Sequence, residues 1–540
     1  MTVAGLAAAF GSGAMTNSID ELEFTDLILA TGTNTTENHP VIGMKVKRAV
    51  RQQGTKLIVI DPREIDLVKY AEIWLRQNPG TDVAVFNGLM NVIISENLQD
   101  AEYVAKRTEG FDALKAVVEK YTPEYVEKIS GVPAEDLKKA ARMYAKAERA
   151  SVIYAMGLTQ HISGTDNVKT IANLSMLCGN VGIEGGGVNP LRGQNNVQGA
   201  CDMGGLPNVF PAYQQVANEE ARKNFEKAWK AELPAKLGLT VVEIVNAADQ
   251  GSIKGLYVMG ENPLLSDPDL HHAQEALKKL DLLVVQDIFL TETAQLADVV
   301  LPSASFAEKD GTFTNTERRV QRIRKVVEAP GEAKPDWEII AVISSKMGYP
   351  MNYASAQEIF EEVTKVTPSY AGISYQRLEK EGLQWPCPTP DHQGTKFLHK
   401  DRFSRGLGLF HAIEYMPPAE LPDKEYPLIL STGRVLYHYH TGTMTQRAQG
   451  PVERYPESLV EINPIDADQL GIAEAQRVKV TSRRGVVEAK AQITPKSPLG
   501  TIFMNFHFAD SPVNMLTNPV LDPIGKIPEY KVCAVKLETA

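Results

Sequence analysis

Two stretches of the chain, LILATGTNTTENHP (Leu27–Pro40) and LYVMGENPLLSDP (Leu256–Pro268), open the same three-part pattern. In each copy an apolar run ending in a polar turn is followed by a second apolar run and then by a third. The later parts are LIVIDPRE (Leu57–Glu64) with AEIWL (Ala71–Leu75), and LLVVQDIF (Leu282–Phe289) with ADVVLP (Ala297–Pro302). The order is the same in both copies, so the sequence predicts two related α/β halves.

The spacing between the copies is nearly constant. The offset is 228 residues from Gly32 to Gly260 and 226 residues from Asp61 to Asp287. Runs of β-branched residues are typical of buried strands in a parallel sheet, whose carboxyl ends form the usual ligand-binding edge. One such half suggests one nucleotide, and two suggest a ligand with two nucleotide ends or two copies of one ligand.

The residues after the strands favour nucleotide binding. Gly32 and Gly260 allow a close backbone approach, Asn34 offers a donor and an acceptor, and Asp61 and Asp287 end the second strands, where an acid commonly binds ribose hydroxyls. Neither first turn contains GxGxxG, which disfavours an ordinary NAD site. The plainer alternative is that these are ordinary strand-end turns of a large α/β protein.

Composition excludes several classes of function. The chain has 540 residues, a net charge of −11 and no long basic run, so nucleic-acid binding is not expected. No apolar stretch is long enough to span a membrane, and the N-terminus lacks the basic region of a signal peptide. The four cysteines are far apart and form no CxxC, which favours buried structural thiols. A cytoplasmic location is the default expectation.

The pattern of elements predicts four domains. Residues 1–194 form a first α/β domain with helices over Asp82–Glu96, Pro133–Lys146 and Asp166–Cys178, and residues 195–360 form a second. Residues 361–420, rich in Pro, Gly and aromatic residues, form an irregular connector. Residues 421–540 contain short strands at turn-like spacing and an Arg-Arg-Gly hairpin at 483–485, which predict a small β-barrel.

The segment LRGQNNVQGACDMG (Leu191–Gly204) is dense in glycine and polar residues and has no periodicity. Long loops of this kind inside a domain are usually functional. Arg192 offers a fixed cation that can bind a small carboxylate bidentately, and Gln194 adds a neutral donor nearby. From spacing alone, pairing of Arg192 with a structural acid is an equal alternative.

This segment, together with VAGLAAAFGSGAMTN (Val3–Asn17), STGRVLYHYHTGTMTQR (Ser431–Arg447) and PEYKVCAV (Pro528–Val535), resembles the catalytic subunit of molybdenum- or tungsten-dependent formate dehydrogenases. These enzymes belong to the molybdopterin oxidoreductase superfamily, and the resemblance covers essentially the whole chain. It implies two molybdopterin guanine dinucleotides, one per α/β half, bound to a single Mo or W. It also implies two-electron conversion of formate to CO₂, or the reverse, with Arg192 and Gln194 binding the substrate.

The resemblance assigns cofactor contacts by position. It implies one guanosine diphosphate at the loops of the first copy and another at those of the second, with pterin and phosphate contacts in the barrel. The first set is Gly32, Asn34, Asp61, Arg63, Gly80 and Asp82; the second is Asn262, Ser266, Gln286, Ser303 and Asp336; the third is Thr432, Arg434, His438, His440, Thr441, Thr443, Asn514, Tyr530 and Lys531. Gly157 and Gln160 are further expected pterin contacts, whereas His161 is left open. Exposed strand-end histidines are the plainer interpretation of His438 and His440.

The family's pattern also extends upstream. A Cys or selenocysteine metal ligand, then His, any residue and Pro, precede a motif that matches Thr2–Leu6, so Met1 takes the place of that Pro. We therefore expect the metal ligand three positions before residue 1 and a [4Fe–4S] domain further upstream, no metal ligand within these 540 residues, and no activity from this chain alone. A selenocysteine codon interpreted as a stop would explain such a boundary. Electrons are expected to pass through that cluster to a partner subunit.

Three alternatives remain at this point. A periplasmic-type nitrate reductase shares the HYHTGTMT-like segment (His438–Thr445). A non-catalytic, cofactor-binding subunit of a respiratory complex fits the lack of a metal ligand. A nicotinamide-dependent dehydrogenase is disfavoured because GxGxxG is absent.

Overall fold

A computed structural model describes all 540 residues, which form two compact units. The first unit comprises Met1–Gly193, Leu265–His271 and Phe397–Ala540, and the second comprises Gln194–Leu264 and His272–Lys396. No helix combines the length and the apolar character needed to cross a lipid bilayer.

The strands follow one another along the chain in this order: β1 (Leu27–Thr31), β2 (Lys56–Ile60), β3 (Ile73–Leu75), β4 (Thr108–Glu109), β5 (Ala150–Tyr154), β6 (Val188–Pro190), β7 (Val209–Phe210), β8 (Gln214–Gln215), β9 (Gly255–Met259), β10 (Leu282–Asp287), β11 (Val299–Pro302), β12 (Gly311–Thr314), β13 (Arg319–Ile323), β14 (Leu383–Gln384), β15 (Gly408–Leu409), β16 (Leu428–Gly433), β17 (Leu459–Ile462), β18 (Arg477–Thr481), β19 (Val486–Ile493), β20 (Thr501–Asn505) and β21 (Cys533–Thr539).

The α-helices are α1 (Thr2–Phe10), α2 (Thr35–Asn38), α3 (Pro40–Arg48), α4 (Asp82–Ser95), α5 (Ala101–Arg107), α6 (Phe111–Val118), α7 (Pro123–Ser130), α8 (Ala134–Ala145), α9 (Met156–Thr159), α10 (Gly164–Leu177), α11 (Val197–Asp202), α12 (Glu219–Trp229), α13 (Val241–Asp249), α14 (Pro263–Ser266), α15 (Leu270–Lys278), α16 (Glu292–Leu296), α17 (Asp336–Lys346), α18 (Ala356–Val366), α19 (Tyr375–Leu378), α20 (Gln449–Arg454) and α21 (Pro464–Leu470). The three helices predicted in the first α/β domain correspond to α4, α8 and α10.

The first unit is built on a five-stranded parallel sheet of order β3-β2-β1-β5-β6. Strands β1 and β5 are buried along their whole length, as expected for a parallel sheet covered on both faces. Helices α1, α4, α8 and α10 pack in the core on one face, and α3 packs on the other through Ile42 and Val46. The apolar runs of the first copy therefore form the edge strand β3, its neighbour β2 and the central strand β1 of this sheet.

The second unit contains a parallel sheet of order β11-β10-β9, which repeats the order β3-β2-β1. The correspondence extends to single hydrogen bonds. The amide of Gly32 donates to the carbonyl of Ile60 at 3.2 Å, and the amide of Gly260 donates to that of Gln286 at 2.8 Å. The internal repeat predicted from the sequence is thus confirmed.

The C-terminal part of the first unit is a closed barrel with the strand order β16-β20-β17-β19-β18-β21. Alternate residues of β18 and β19 point into its apolar core. Thr481 pairs with Val486 across the predicted Arg-Arg-Gly hairpin. The predicted barrel is confirmed, and between residues 367 and 420 the chain has only the short elements α19, β14, β15 and a 3₁₀ turn at Pro368–Tyr370.

Candidate functional site

A cleft in the first unit opens where β1, β2, β5 and β6 end, and barrel residues line its other side. Its volume, including the open space at its mouth, is about 1060 Å³. Ten of the predicted contacts line it: Gly32, Asn34, Asp61, Arg63, Gly80, Asp82, Gly157, Thr432, Arg434 and Lys531. The structure therefore brings together residues up to about 500 positions apart in the sequence.

Two glycines shape one wall of the cleft. Gly32 has φ +54°, and a Cβ there would lie 2.3 Å from the amide nitrogen of Leu158. A Cβ on Gly157 would lie 2.6 Å from the carbonyl oxygen of Gly32, to which the Gly157 amide donates at 3.0 Å. Gly32 is therefore required by the contact between two protein loops, whereas a Cβ on Gly260 would meet no atom within 4 Å.

Two buried acids line the cleft. Asp61 accepts a hydrogen bond at 2.9 Å from the amide of Arg63, two residues on, and burial raises the pKa of Asp61 to about 7. Asp82 begins α4, accepts a hydrogen bond at 3.3 Å from the side chain of Gln77, and also has its pKa raised by burial. Both carboxyls can accept hydrogen bonds from ligand hydroxyl or N–H groups.

Arg63, which was predicted to contact the cofactor, forms strong contacts within the protein itself. Its guanidinium binds the carboxylate of Glu461 on β17 through two nitrogens and lies 4.0 Å from the centre of the Phe503 ring. The loop after β2 is thereby fixed against the barrel. The role of Arg63 as a cofactor contact remains a prediction.

Two buried cations face the cleft from the barrel. Arg434 donates to the carbonyl of Gly193 at 3.3 Å, but its Nε and Nη2 have no hydrogen-bond partner, and no carboxylate pairs with it. Lys531 donates to the carbonyl of Thr432 at 2.6 Å, and burial, helped by the charge of Arg434, lowers the pKa of Lys531 to about 7. The charge of Asp61 acts on Lys531, but neither cation forms an ion pair with a carboxylate, which favours an anionic ligand.

Arg192 lies two residues after the end of β6 and is partly exposed; its neighbours Leu191 and Gly193 line the cleft, but Arg192 does not. His39, at the start of α3, bonds through Nε2 to the Arg192 carbonyl at 2.7 Å. A carbonyl can only accept, so Nε2 has the proton, and burial lowers the pKa of His39, which favours the neutral ring. Sequence reasoning did not single out His39, although NHP (Asn38–Pro40) belongs to the quoted first-copy stretch. A Cβ on Gly193 would lie 2.7 Å from Nη2 of Arg434, so this glycine allows the close approach.

The barrel loop after Arg434 does not line the cleft. His438 is buried, with Nε2 bonded to the carbonyl of Tyr455 at 2.7 Å and Nδ1 bonded to Thr445 Oγ1 at 3.1 Å. The interpretation of His438 as an exposed strand-end residue is therefore wrong. His440 has φ +47° and accepts a hydrogen bond from His507 on its carbonyl, while the hydroxyls of Thr441 and Thr443 are 3.2 Å apart.

His161, left open from the sequence, lines the cleft, whereas Gln160 does not. The ring of His161 is buried, its Nε2 bonds to the Gly157 carbonyl at 2.9 Å, and its Nδ1 lies 3.8 Å from Glu529. Burial lowers the pKa of His161, but the carboxylates of Glu529 and Asp82 outweigh it, and the pKa is raised overall. The contacts predicted for Gln160 and Gly157 remain predictions.

Four predicted contacts lie in the second unit: Asn262 follows β9, Gln286 lies near the end of β10, Ser303 follows β11 and Asp336 begins α17. Asn262 accepts from the Thr293 hydroxyl at 2.7 Å and donates to Glu292 at 2.8 Å. Gln286, fully buried, donates to Asp336 at 2.8 Å. The hydroxyl of Ser303 is buried and has no partner. Asp287 accepts from the amide of Phe289 at 3.3 Å, which repeats the turn that Asp61 makes.

The remaining predicted contacts lie together in the first unit. The side chain of Asn514 donates to the carbonyls of Leu265 and Ser266 at 2.9 and 3.1 Å, and the hydroxyl of Tyr530 donates to that of Ser266 at 2.9 Å. Ser266 therefore belongs with barrel residues and not with Asn262, its neighbour in the sequence. Gln194, two residues after Arg192, begins the second unit.

These features define an α/β protein with a duplicated dinucleotide-type sheet and a barrel that helps to form a cationic cleft. Comparison with family models agrees with this class. Residues 4–346 match the molybdopterin oxidoreductase model, and residues 428–534 match the molybdopterin dinucleotide-binding domain. The chain belongs to the molybdopterin oxidoreductase family, which confirms the superfamily predicted from the sequence.

Two curated relatives are similar along nearly the whole chain. The F420-dependent formate dehydrogenase subunit alpha of Methanocaldococcus jannaschii is 56% identical over 541 residues, which are 99% of this chain and 80% of the relative. Formate dehydrogenase H of Escherichia coli is 42% identical over 544 residues, or 99% of this chain and 76% of the relative. These names agree with the resemblance found in the sequence.

A solved structure, acetylene hydratase from Pelobacter acetylenicus, superposes with a TM-score of 0.77. It covers 100% of this chain, and this chain covers 81% of it, at 22% sequence identity. This similarity supports the fold, including the α/β units and the barrel.

Proposed function

We propose that this chain is the catalytic part of a formate dehydrogenase that interconverts formate and CO₂. The observation that supports it most directly is the RGQNNVQGACDMG loop (Arg192–Gly204), whose Arg192 lies two residues after a sheet strand, between the cleft-lining residues Leu191 and Gly193. The names of the relatives support the same substrate.

The cleft fits a molybdopterin guanine dinucleotide. Its buried cations, Arg434 and Lys531, form no ion pair with a carboxylate, as expected if they neutralise the diphosphate. Buried oxygen atoms of Asn34 and Gln77 have no hydrogen-bond partner, so N–H groups of a ligand can satisfy them. Asp61 after β2 and Asp82 at the start of α4 add acceptors to the cleft. The repeat supports a second dinucleotide at Asn262, Gln286, Ser303 and Asp336.

When bound, the bis-molybdopterin guanine dinucleotide complex of Mo or W supplies the two-electron chemistry. The chain's own residues bind and orient the substrate. Arg192 binds the formate carboxylate, Gln194 adds a neutral donor, and His39 fixes the Arg192 backbone through its carbonyl. The word "subunit" in the name of one relative supports an electron-accepting partner chain.

The test is formate-dependent reduction of a viologen dye by the complete, cofactor-loaded enzyme, since no activity is expected from this chain alone. We expect Arg192→Ala to lower kcat/KM at least about a hundredfold, because charge-assisted hydrogen bonds contribute about 1.5–3 kcal/mol each. Arg51→Ala, an exposed arginine on the π-helical turn at Ala49–Gln53, is the matched control. Equal rates for the parent and Arg192→Ala would overturn the assignment.

The same preparation distinguishes a formate dehydrogenase from the main alternative, a nitrate reductase. A nitrate reductase would oxidise reduced viologen with nitrate and would show no formate-dependent reduction. We expect formate turnover without nitrate turnover.

A further inference from the structure

One buried acid of the second unit has no role in the function proposed so far. Asp202 is fully buried at the end of α11, six residues after Asn196. Its carboxylate accepts hydrogen bonds from Tyr370 at 2.5 Å, from the Trp385 indole at 2.7 Å and from the Gln198 amide at 2.8 Å. Three neutral donors stabilise the ionised form of a buried carboxylate.

The other end of α11 is fixed as well. The side-chain oxygen of Asn196 accepts a hydrogen bond at 2.8 Å from the amide of Thr314 on β12. A Cβ on Gly199 would lie 2.2 Å from that oxygen, so only glycine permits this packing. The hydroxyl of Tyr370, which bonds to Asp202, lies 3.2 Å from the hydroxyl of Thr314. The two anchors therefore meet at Thr314 and form one closed network.

The following turn is strained and joins the same network. Ala212 and Tyr213 both have left-handed backbone angles, with φ +60° and +58°. Such residues cost about 1–3 kcal/mol each and persist only where their surroundings fix them. The side-chain amide of Gln198 donates to the Tyr213 hydroxyl at 2.8 Å, so the turn and α11 are fixed to each other.

We propose that Asp202 is a positioning residue that fixes α11 and, through it, the segment Gln194–Asn196 for substrate binding. This inference rests on the proposed function. Asp202 does not touch the substrate. It acts through Tyr370 and Thr314 on Asn196, the residue just before α11. Burial and the charge of Asp202 keep the pKa of Tyr370 well above its ordinary value, so that its hydroxyl remains a donor.

The experiment compares three variants of the cofactor-loaded enzyme: Asp202→Asn, Tyr370→Phe and the control Tyr375→Phe. Asp202→Asn replaces one carboxylate oxygen with an NH₂ group, whose hydrogens then face the hydrogen-bond donors around it. Tyr370→Phe removes the hydroxyl that links Asp202 to Thr314. Tyr375 is also buried but packs against Phe360 and Arg322, outside the network. Tyr370→Phe keeps the proposal testable if Asp202→Asn does not fold.

Hydrogen–deuterium exchange reports the anchoring, and steady-state kinetics report its effect. We expect the amides of α11 to exchange about 10- to 100-fold faster in Asp202→Asn and about 3- to 10-fold faster in Tyr370→Phe, with α4 unchanged. The KM for formate should rise about tenfold or more in Asp202→Asn, with kcat changed less than about threefold. Bound nucleotide should be the same in every variant.

Two results would overturn the proposal. One is unchanged exchange in α11 in both variants. The other is faster exchange with an unchanged KM, or with a kcat that falls in proportion to lost cofactor, since either indicates a purely structural role. Turnover of nitrate but not of formate by the complete parent enzyme would refute formate as the substrate, but the exchange rates would still decide whether Asp202 anchors the loop.

Discussion

Lys531→Met is expected to change the stability of the cofactor-free protein with opposite signs at low and high pH. Burial lowers the pKa of Lys531 from 10.5 to about 7. At about 1.4 kcal/mol per pH unit, the charged ammonium therefore destabilises the folded state by about 5 kcal/mol below pH 7. That cost declines as pH rises from 7, where the buried amine becomes neutral in the folded protein, and it disappears near 10.5, where the amine is neutral in the unfolded chain as well.

Methionine removes this cost but also removes the donor to the Thr432 carbonyl. A buried acceptor without a partner costs about 1–3 kcal/mol. The substitution should therefore stabilise the protein by about 2–4 kcal/mol at pH 6 and destabilise it by up to about 2 kcal/mol above pH 10. The two effects balance near pH 9.

Urea unfolding followed by circular dichroism at pH 6 and pH 10 measures the change. Midpoints of variant and parent are compared directly, because two units need not unfold in one step. Lys496→Met, at an exposed lysine, is the control and should shift neither midpoint. A shift of the same sign and size at both pH values would refute the argument that Lys531 is a buried, destabilising cation.

Three further substitutions have definite expected outcomes. His39→Gln keeps a donor near Nε2 and should change the KM for formate less than about threefold, whereas His39→Asn should raise it about 3- to 10-fold through loss of the bond to Arg192; equal KM values would contradict the role of His39. Gly32→Ala should lower the thermal midpoint far more than Gly54→Ala, since both have positive φ but only Gly32 faces backbone atoms. In the cofactor-free protein, the raised pKa of Asp61 means that between pH 4 and pH 7 the folded state binds a proton that the unfolded chain has released, so stability falls as the pH rises through this range. Asp61→Asn should abolish this fall, and an unchanged pH profile of the unfolding midpoint would contradict the argument.

The sequence predicted the repeated sheets because the pattern that defines them is local. Each buried strand is a continuous apolar run. In both copies a glycine follows the first strand and an aspartate lies at the end of the second. The resemblance to a known family supplied the cofactor contacts, of which Gly32, Asp61 and Arg434 meet in one cleft.

Other parts of the site depend on contacts between distant segments, which no local pattern specifies. The bond from His39 to Arg192 spans 153 residues, and the pairing of Arg63 with Glu461 spans 398. The position of Ser266 beside Tyr530 likewise follows from the folding of the barrel. Periodicity and turn chemistry therefore predict the elements, whereas the partners of their side chains appear only in three dimensions.

The most direct test of the duplicated cofactor site is the amount of GMP released by acid from the purified, metal-containing protein. Two related halves, each ending in an acid at the second strand, predict two GMP per chain together with one Mo or W. One GMP or none in protein that contains a full equivalent of metal would contradict the two-dinucleotide assignment.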